Sequence, residues 1–237
     1  MNEPEEAPTE GLSGRFLSRF AWTFVSPKQL YEDIAAGAHW WQPWVWASMI
    51  SMVVAYISIP IQAQVMRLNQ GGQTQEQIEQ SIQMMEKIRF VPVVGAPVGV
   101  LIFVVIVGGV SYLLVNLLSQ SSDFKKYFTL MLYASIVVSV GQLLGTVVTR
   151  MKGVETIRSI RDVGVSLGPA VLVGPDQKAL YPVLASLDVF YVWFYVLLVA
   201  GLVRIFRMSV GNAILAVIPV WLLQVLYALI GVRFSGM

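Results

Sequence analysis

Four stretches of this chain contain no Asp, Glu, Lys or Arg: Trp40–Met66, Phe90–Ser122, Tyr127–Thr149 and Met208–Val232. Each exceeds the roughly 20 apolar residues that carry a helix across a hydrocarbon core of about 30 Å. A fifth stretch, Pro182–Val203, is interrupted by Asp188, and the uncharged remainder Val189–Val203 is only 15 residues. A crossing there has to include the acid. The expected fold is therefore an all-α membrane protein, a bundle of five transmembrane helices near residues 43–62, 93–118, 127–149, 183–203 and 209–231. Composition agrees: 56% of residues are hydrophobic and 13% charged, against about 45–50% and about 25% in an average soluble domain. One soluble globule of this size has no room to hide that excess.

The segments outside the spans divide the chain further. Residues 1–14 are expected to form a solvated acidic tail, because Met1–Glu10 holds four Glu and no Lys or Arg, the reverse of a signal peptide's basic start. Residues 15–38 carry an interfacial pattern: Phe16, Leu17, Phe20 and Phe24 recur at helical spacing beside Arg15 and Arg19. At Ser26-Pro27-Lys28-Gln29 the chain restarts, with the residue types of a capping box, Pro at the first helical position, and Val25 and Leu30 placed for a hydrophobic staple. The second helix presents Leu30, Tyr31 and Ile34 on one face. Residues 39–237 then form the five-span domain, opened by Trp40, Trp41, Trp44 and Trp46, which belong at headgroup level. Between spans, Thr74–Arg89 reads as a surface helix on Ile78, Ile82 and Met85, whereas Arg150–Leu180 is a loop rich in Gly and Pro.

Chemistry-bearing patterns are scarce. The chain has no Cys and one His, His39, so neither a thiolate nor a His-based metal site is assembled, and no cofactor is expected. Phosphate-loop, H-E-x-x-H and G-x-S-x-G motifs do not occur. No catalytic residue is assigned, and a non-enzymatic role is expected. A net charge of +2 gives no nucleic-acid footprint. Gly95-x-x-x-Gly99 and Gly141-x-x-x-Gly145 match the small-residue spacing of close helix packing in lipid. The candidate structural or functional polar residues of the spans are Asp188, Arg150, Asn116, Gln142 and Gln224. Asp188 is expected to pair with Arg150 at the end of the third span or, failing that, to accept hydrogen bonds from backbone amides or hydroxyls. A carboxylate left unpaired in lipid would cost several kcal/mol.

Three groups of residues carry a family resemblance: Ser26-Pro27-Lys28 with Tyr31, Ile34 and Trp41-x-Pro43; Phe124-Lys125-x-x-Phe128 leading to Tyr133-Ala134-Ser135; and Leu187-Asp188-x-Phe190-x-x-Trp193 with Gly201-Leu202. In that order, over a five-span layout, they resemble the bacterial branch of the Yip (Ypt/Rab-interacting protein) domain family. The resemblance implies five spans, a cytosolic N-terminus and a short C-terminus on the far side. Counting Lys and Arg does not by itself decide the orientation: with the N-terminus inside, seven lie inside and nine outside. Eukaryotic relatives act in vesicle traffic and contact small GTPases, but their Asp-Leu-Tyr-Gly-Pro signature is missing here, so GTPase binding is not carried onto any residue. The function expected is that of a multi-pass protein of the bacterial cytoplasmic membrane that organises membrane or recruits partners. Its partners would be the lipid bilayer and a protein partner or second copy of the chain. The alternative is a small-solute transporter or channel built on the polar residues at membrane depth.

Overall fold

The computed structural model describes residues 12–68, 72–119, 123–158, 162–163, 167–173, 177 and 180–234, and no strand occurs among them. The first eleven residues of the expected acidic tail lie outside the described residues, as do Arg161 and the turn 174–176. Two short helices come first, α1 (Leu12–Val25) and α2 (Pro27–Ala36). The bundle follows as α3 (Trp41–Leu68), α4 (Gln75–Lys87), α5 (Phe90–Leu118), α6 (Phe124–Lys152), α7 (Leu180–Ala185), α8 (Val189–Phe206) and α9 (Val210–Phe234). Five of these, α3, α5, α6, α8 and α9, are long and apolar enough to cross a membrane. Helix α1 begins at Leu12, inside the segment assigned to the tail; the helix starts where the run of Glu and Pro ends.

Helix α6 is the hub. Its buried residues include Tyr127, Leu130, Met131, Leu132, Tyr133, Ile136 and Val137, and α3, α5, α8 and both N-terminal helices pack on it. Helix α5 runs antiparallel to it, with Gly108 against Met131 and Tyr127, and Tyr112 against Phe124 and Tyr127. Helix α8 is antiparallel on another side: Phe190 lies over Gly141, Leu130 over Gly201, and Tyr127 beside Phe206. At Gly141 and Gly201 a Cβ would come within 2.6 Å of the facing side chain, so only glycine admits this approach. The expectation for Gly141 is met. Gly95 and Gly99 differ: among the described residues a Cβ at either meets nothing within 4 Å, so neither marks a close helix contact there.

The fourth crossing departs from the continuous helix expected over 183–203. It is broken into α7 and α8, separated by Ser186-Leu187-Asp188. Asp188 caps α8, its Oδ1 accepting the Phe190 N–H at 3.0 Å. A short acidic side chain competes well with helical continuation and satisfies an end donor instead. Helix α8 is thereby reduced to 18 residues, roughly 27 Å at 1.5 Å per residue.

Helix α4 confirms the surface helix expected over 74–89, with Ile78 and Ile82 buried against Ala63. Its start is a true capping box: the Thr74 hydroxyl accepts the Gln77 N–H at 3.3 Å, and the Gln77 side chain accepts the Thr74 N–H at 3.0 Å. The box expected at Ser26 does not form. Ser26 makes no side-chain cap and Val25 is 78% exposed, so the staple is also missing. Pro27 alone breaks α1 from α2, and because proline has no N–H it removes one of the donors a cap would serve.

Candidate functional site

Two polar assemblies join the helices of the bundle, the first largely buried and the second partly exposed, at Gln142. The first joins the N-terminal helices to the hub. Along α1 the inward stripe is Phe16, Arg19, Phe20 and Thr23, while Leu17, expected on that face, is 61% exposed. Arg19 is buried at 7% exposure. Its Nη1 donates to Gln42 Oε1 of α3 at 2.6 Å, its Nη2 to Asp33 Oδ1 of α2 at 2.9 Å, and its Nε lies 2.6 Å from Asp33 Oδ2. One guanidinium thus ties three helices, which its planar fork of donors suits better than an ammonium would. Tyr133 of α6 is close enough to both charges to interact with them. It lies nine residues past the start of α6, roughly 13 Å along the axis, so the network sits well inside the bundle.

Further bonds seat the same hairpin. The Tyr31 hydroxyl donates to the Leu197 carbonyl of α8 at 3.1 Å, and Trp193 Nε1 donates to the Thr23 carbonyl at 3.2 Å. Burial pushes the Tyr31 phenol up to about 12. The tryptophans expected at headgroup level also serve as fasteners. Trp46 stacks on Phe16 at 4.9 Å and donates to its carbonyl, and Trp44 donates to the Pro97 carbonyl of α5 at 3.0 Å. Trp40 and Trp41 stay 38% and 45% exposed. His39 is exposed as well.

The second assembly joins α6, α8 and α9. Gln142 of α6 and Gln224 of α9 meet at Tyr191 of α8, whose hydroxyl interacts with both amides. The Tyr195 hydroxyl donates to Gln224 Oε1 at 2.6 Å. Asp188 stands one helical turn before Tyr191, near enough to interact with it. Its carboxylate is spent on backbone: Oδ1 on Phe190, and Oδ2 on the Leu167 N–H at 2.6 Å. This bond latches the α6–α7 connection onto the break, and Gly168 lies so close that a Cβ would come within 2.8 Å of the Asp188 Cα. Arg150 is not its partner; it is exposed at the end of α6, and the ion pairs among the described residues are Arg19–Asp33 and Arg67–Glu79. The amide-bonded alternative for Asp188 is the one observed.

Of the candidate polar residues, then, Gln142, Gln224 and Asp188 converge, whereas Asn116 is exposed on α5 and Arg150 is apart. Sequence reasoning missed Arg19, Asp33, Gln42, Tyr191 and Tyr195. A signal existed for Arg19, which falls between Phe16 and Phe20 in the register of the apolar stripe. A groove of about 690 Å³ lies elsewhere, along α4 between Gln77, Ser81, Met84, Ile88 and Pro92.

Neither a curated relative nor a solved structure matches the chain. The Yip1 domain family matches residues 22–232, from within α1 to near the end of α9. That span takes in all five crossings, the second polar assembly and, of the first, Asp33 and Gln42 but not Arg19, and the chain is a member of the Yip1 domain family of membrane proteins.

Proposed function

We propose that this protein is a non-enzymatic organiser of the bacterial cytoplasmic membrane, which gathers a protein partner or further copies of itself, with its N-terminus in the cytoplasm. The observation carrying this reading is the use made of the polar groups at membrane depth. Asp188 is spent on two amides, Tyr195 on Gln224, and Arg19 on Asp33 and Gln42. Groups engaged in this way act as joints between helices, and they leave the outward apolar faces to deal with lipid and partners. Lys125, Lys126, Arg204 and Arg207, close to span ends on the side of the α5–α6 and α8–α9 turns, support a cytoplasmic location for that side. Cross-linking and affinity capture from native membranes should return a stable partner or a homo-oligomer. A monomer that retains nothing and leaves vesicle shape unchanged would contradict the reading.

A second reading, passage of a small solute, is favoured by the break in the fourth crossing and by the exposure of Gln142 beside Tyr191. Flux into proteoliposomes decides: uptake that is abolished by Gln142→Leu and Tyr191→Phe, in variants that remain folded, would put transport first.

A further inference from the structure

The bundle ends differ in how they hold charge. At one end the α5–α6 and α8–α9 turns lie side by side, joined by Ser119 Oγ donating to the Phe206 carbonyl at 3.3 Å and Asn212 Nδ2 donating to the Leu118 carbonyl at 3.5 Å. This pairing brings Lys125, Lys126, Arg204 and Arg207 to the same end of the bundle, with Lys125, Arg204 and Arg207 exposed and Lys126 partly so. The acid within these two turns is Asp123, whose Oδ1 is committed to the Lys126 N–H at 3.1 Å as the cap of α6. None of the four cations takes part in the ion pairs seen among the described residues. The opposite end is mixed, with Arg67 paired to Glu79, and Glu76, Glu86 and Glu155 interspersed with Lys87, Arg89 and Lys152.

Two further observations bear on what the cationic face meets. Arg207 occupies the left-handed position that closes α8, at φ 53°, where glycine is the easier residue. The backbone closes the helix there on the Leu202 carbonyl, and the Arg207 side chain is left exposed at the end of α8. Beside the cations runs a file of rings: Tyr112 on Phe124 at 5.1 Å, Phe124 on Phe128 at 5.8 Å, and Phe128 on Trp40 at 6.0 Å. Phe124 and Trp40 are 45% and 38% exposed. Trp and Tyr rings are most stable at headgroup level, and Trp40 and Tyr112 at the ends of the file put these cations at the depth of lipid phosphates.

We infer that Lys125, Lys126, Arg204 and Arg207 form a binding face for the phosphate headgroups of anionic phospholipids. The inference goes beyond organising membrane in general, since it names the headgroup chemistry, and it does not depend on any protein partner. Guanidinium forks and ammonium groups together suit a phosphodiester, and a zwitterionic headgroup, carrying its own cation, gains less from them.

The full chain, purified and placed in nanodiscs of phosphatidylcholine with a minority of phosphatidylglycerol, gives the test: the bound lipids are identified by native mass spectrometry. Phosphatidylglycerol should be retained in excess of its share, the excess should fall as salt rises, and each Lys or Arg changed to Gln should weaken retention by about two- to five-fold. The charge-keeping set Lys125→Arg, Lys126→Arg, Arg204→Lys and Arg207→Lys should preserve it, as should Arg67→Gln with Lys152→Gln at the far end. If the fourfold Gln variant does not fold, Lys125→Gln with Lys126→Gln decides alone. Retention that matches the bulk composition, or that survives loss of the four cations, would overturn the inference. So would full competition by inorganic phosphate, which would make the face a site for a soluble anion.

Discussion

Helices α5 and α6 are both 29 residues long and lie against each other, yet they are placed in opposite ways. In its most apolar window 50% of α6 is buried, against 11% of α5. The more apolar helix is the less buried one. In water the reverse would hold, since burial there follows hydrophobicity. In lipid a face of Val, Ile and Leu is at home outside, and helices meet through small residues and hydrogen-bonding side chains. Helix α6 supplies these: Gly141 for Phe190 and Gln142 for Tyr191. Helix α5 points Val94, Val98, Ile102, Val105 and Ile106 outward.

The largest expected effect is at the charge network on the hub. Asp33→Ala leaves Arg19 buried without its counter-charge and should cost about 3–5 kcal/mol, read as loss of thermal stability in detergent. Arg19→Met combined with Asp33→Leu should recover much of it, because an apolar pair of similar volume carries no desolvation penalty. Next come the glycines. Gly141→Leu or Gly201→Leu should lower stability by about 2–3 kcal/mol by forcing α8 off α6. Gly95→Leu and Gly99→Leu on the open face of α5 should stay within about 0.5 kcal/mol. Equal losses on both helices would break the comparison.

Smaller effects sharpen it at the edges. Asp188→Ala should cost about 1–2 kcal/mol through loss of the cap and the latch to Leu167, whereas Arg150→Gln should change little. A double-variant cycle returning no coupling would confirm that the two do not share an interaction. Tyr31 gives a signature in pH. Its folded pKa of about 12 exceeds the ordinary 10.0, so above pH 10 the unfolded chain ionises while the folded one holds its proton. Stability should fall as pH rises from 10 toward 12, and Tyr31→Phe should reduce that slope while costing about 1 kcal/mol for the bond to Leu197.

The spans were legible because long uncharged runs admit few alternatives: the limits of α5, α6 and α9 lie within three residues of expectation, whereas α3 runs six residues past the expected end at 62. The fourth was not, since periodicity does not reveal that Asp188 would cap a helix rather than ride inside one. The N-terminal pair was readable as two helices, but Pro27 makes the break without Ser26, and the inward face carries Arg19. Which polar residues converge was the least legible part. Gln142 and Gln224 are 82 positions apart, and their meeting at Tyr191 depends on the rotation of three helices, which no single helix records.

The account rests on α6 being a packed hub with no water path along it, and the absence of native Cys makes a clean test available. Single Cys residues placed at Ala134 and Val137 on α6, at Gln142 in the second polar assembly, and at Val98 and Ile106 on α5 can carry spin labels in the membrane. Collision rates with oxygen and with a water-soluble relaxant then report lipid and water separately. The account predicts oxygen access without water access at Val98 and Ile106, and neither at Ala134 and Val137. Water access running from Gln142 to Val137 and Ala134 would contradict it, because a hydrated path along the hub would turn these joints into the lining of a conduit.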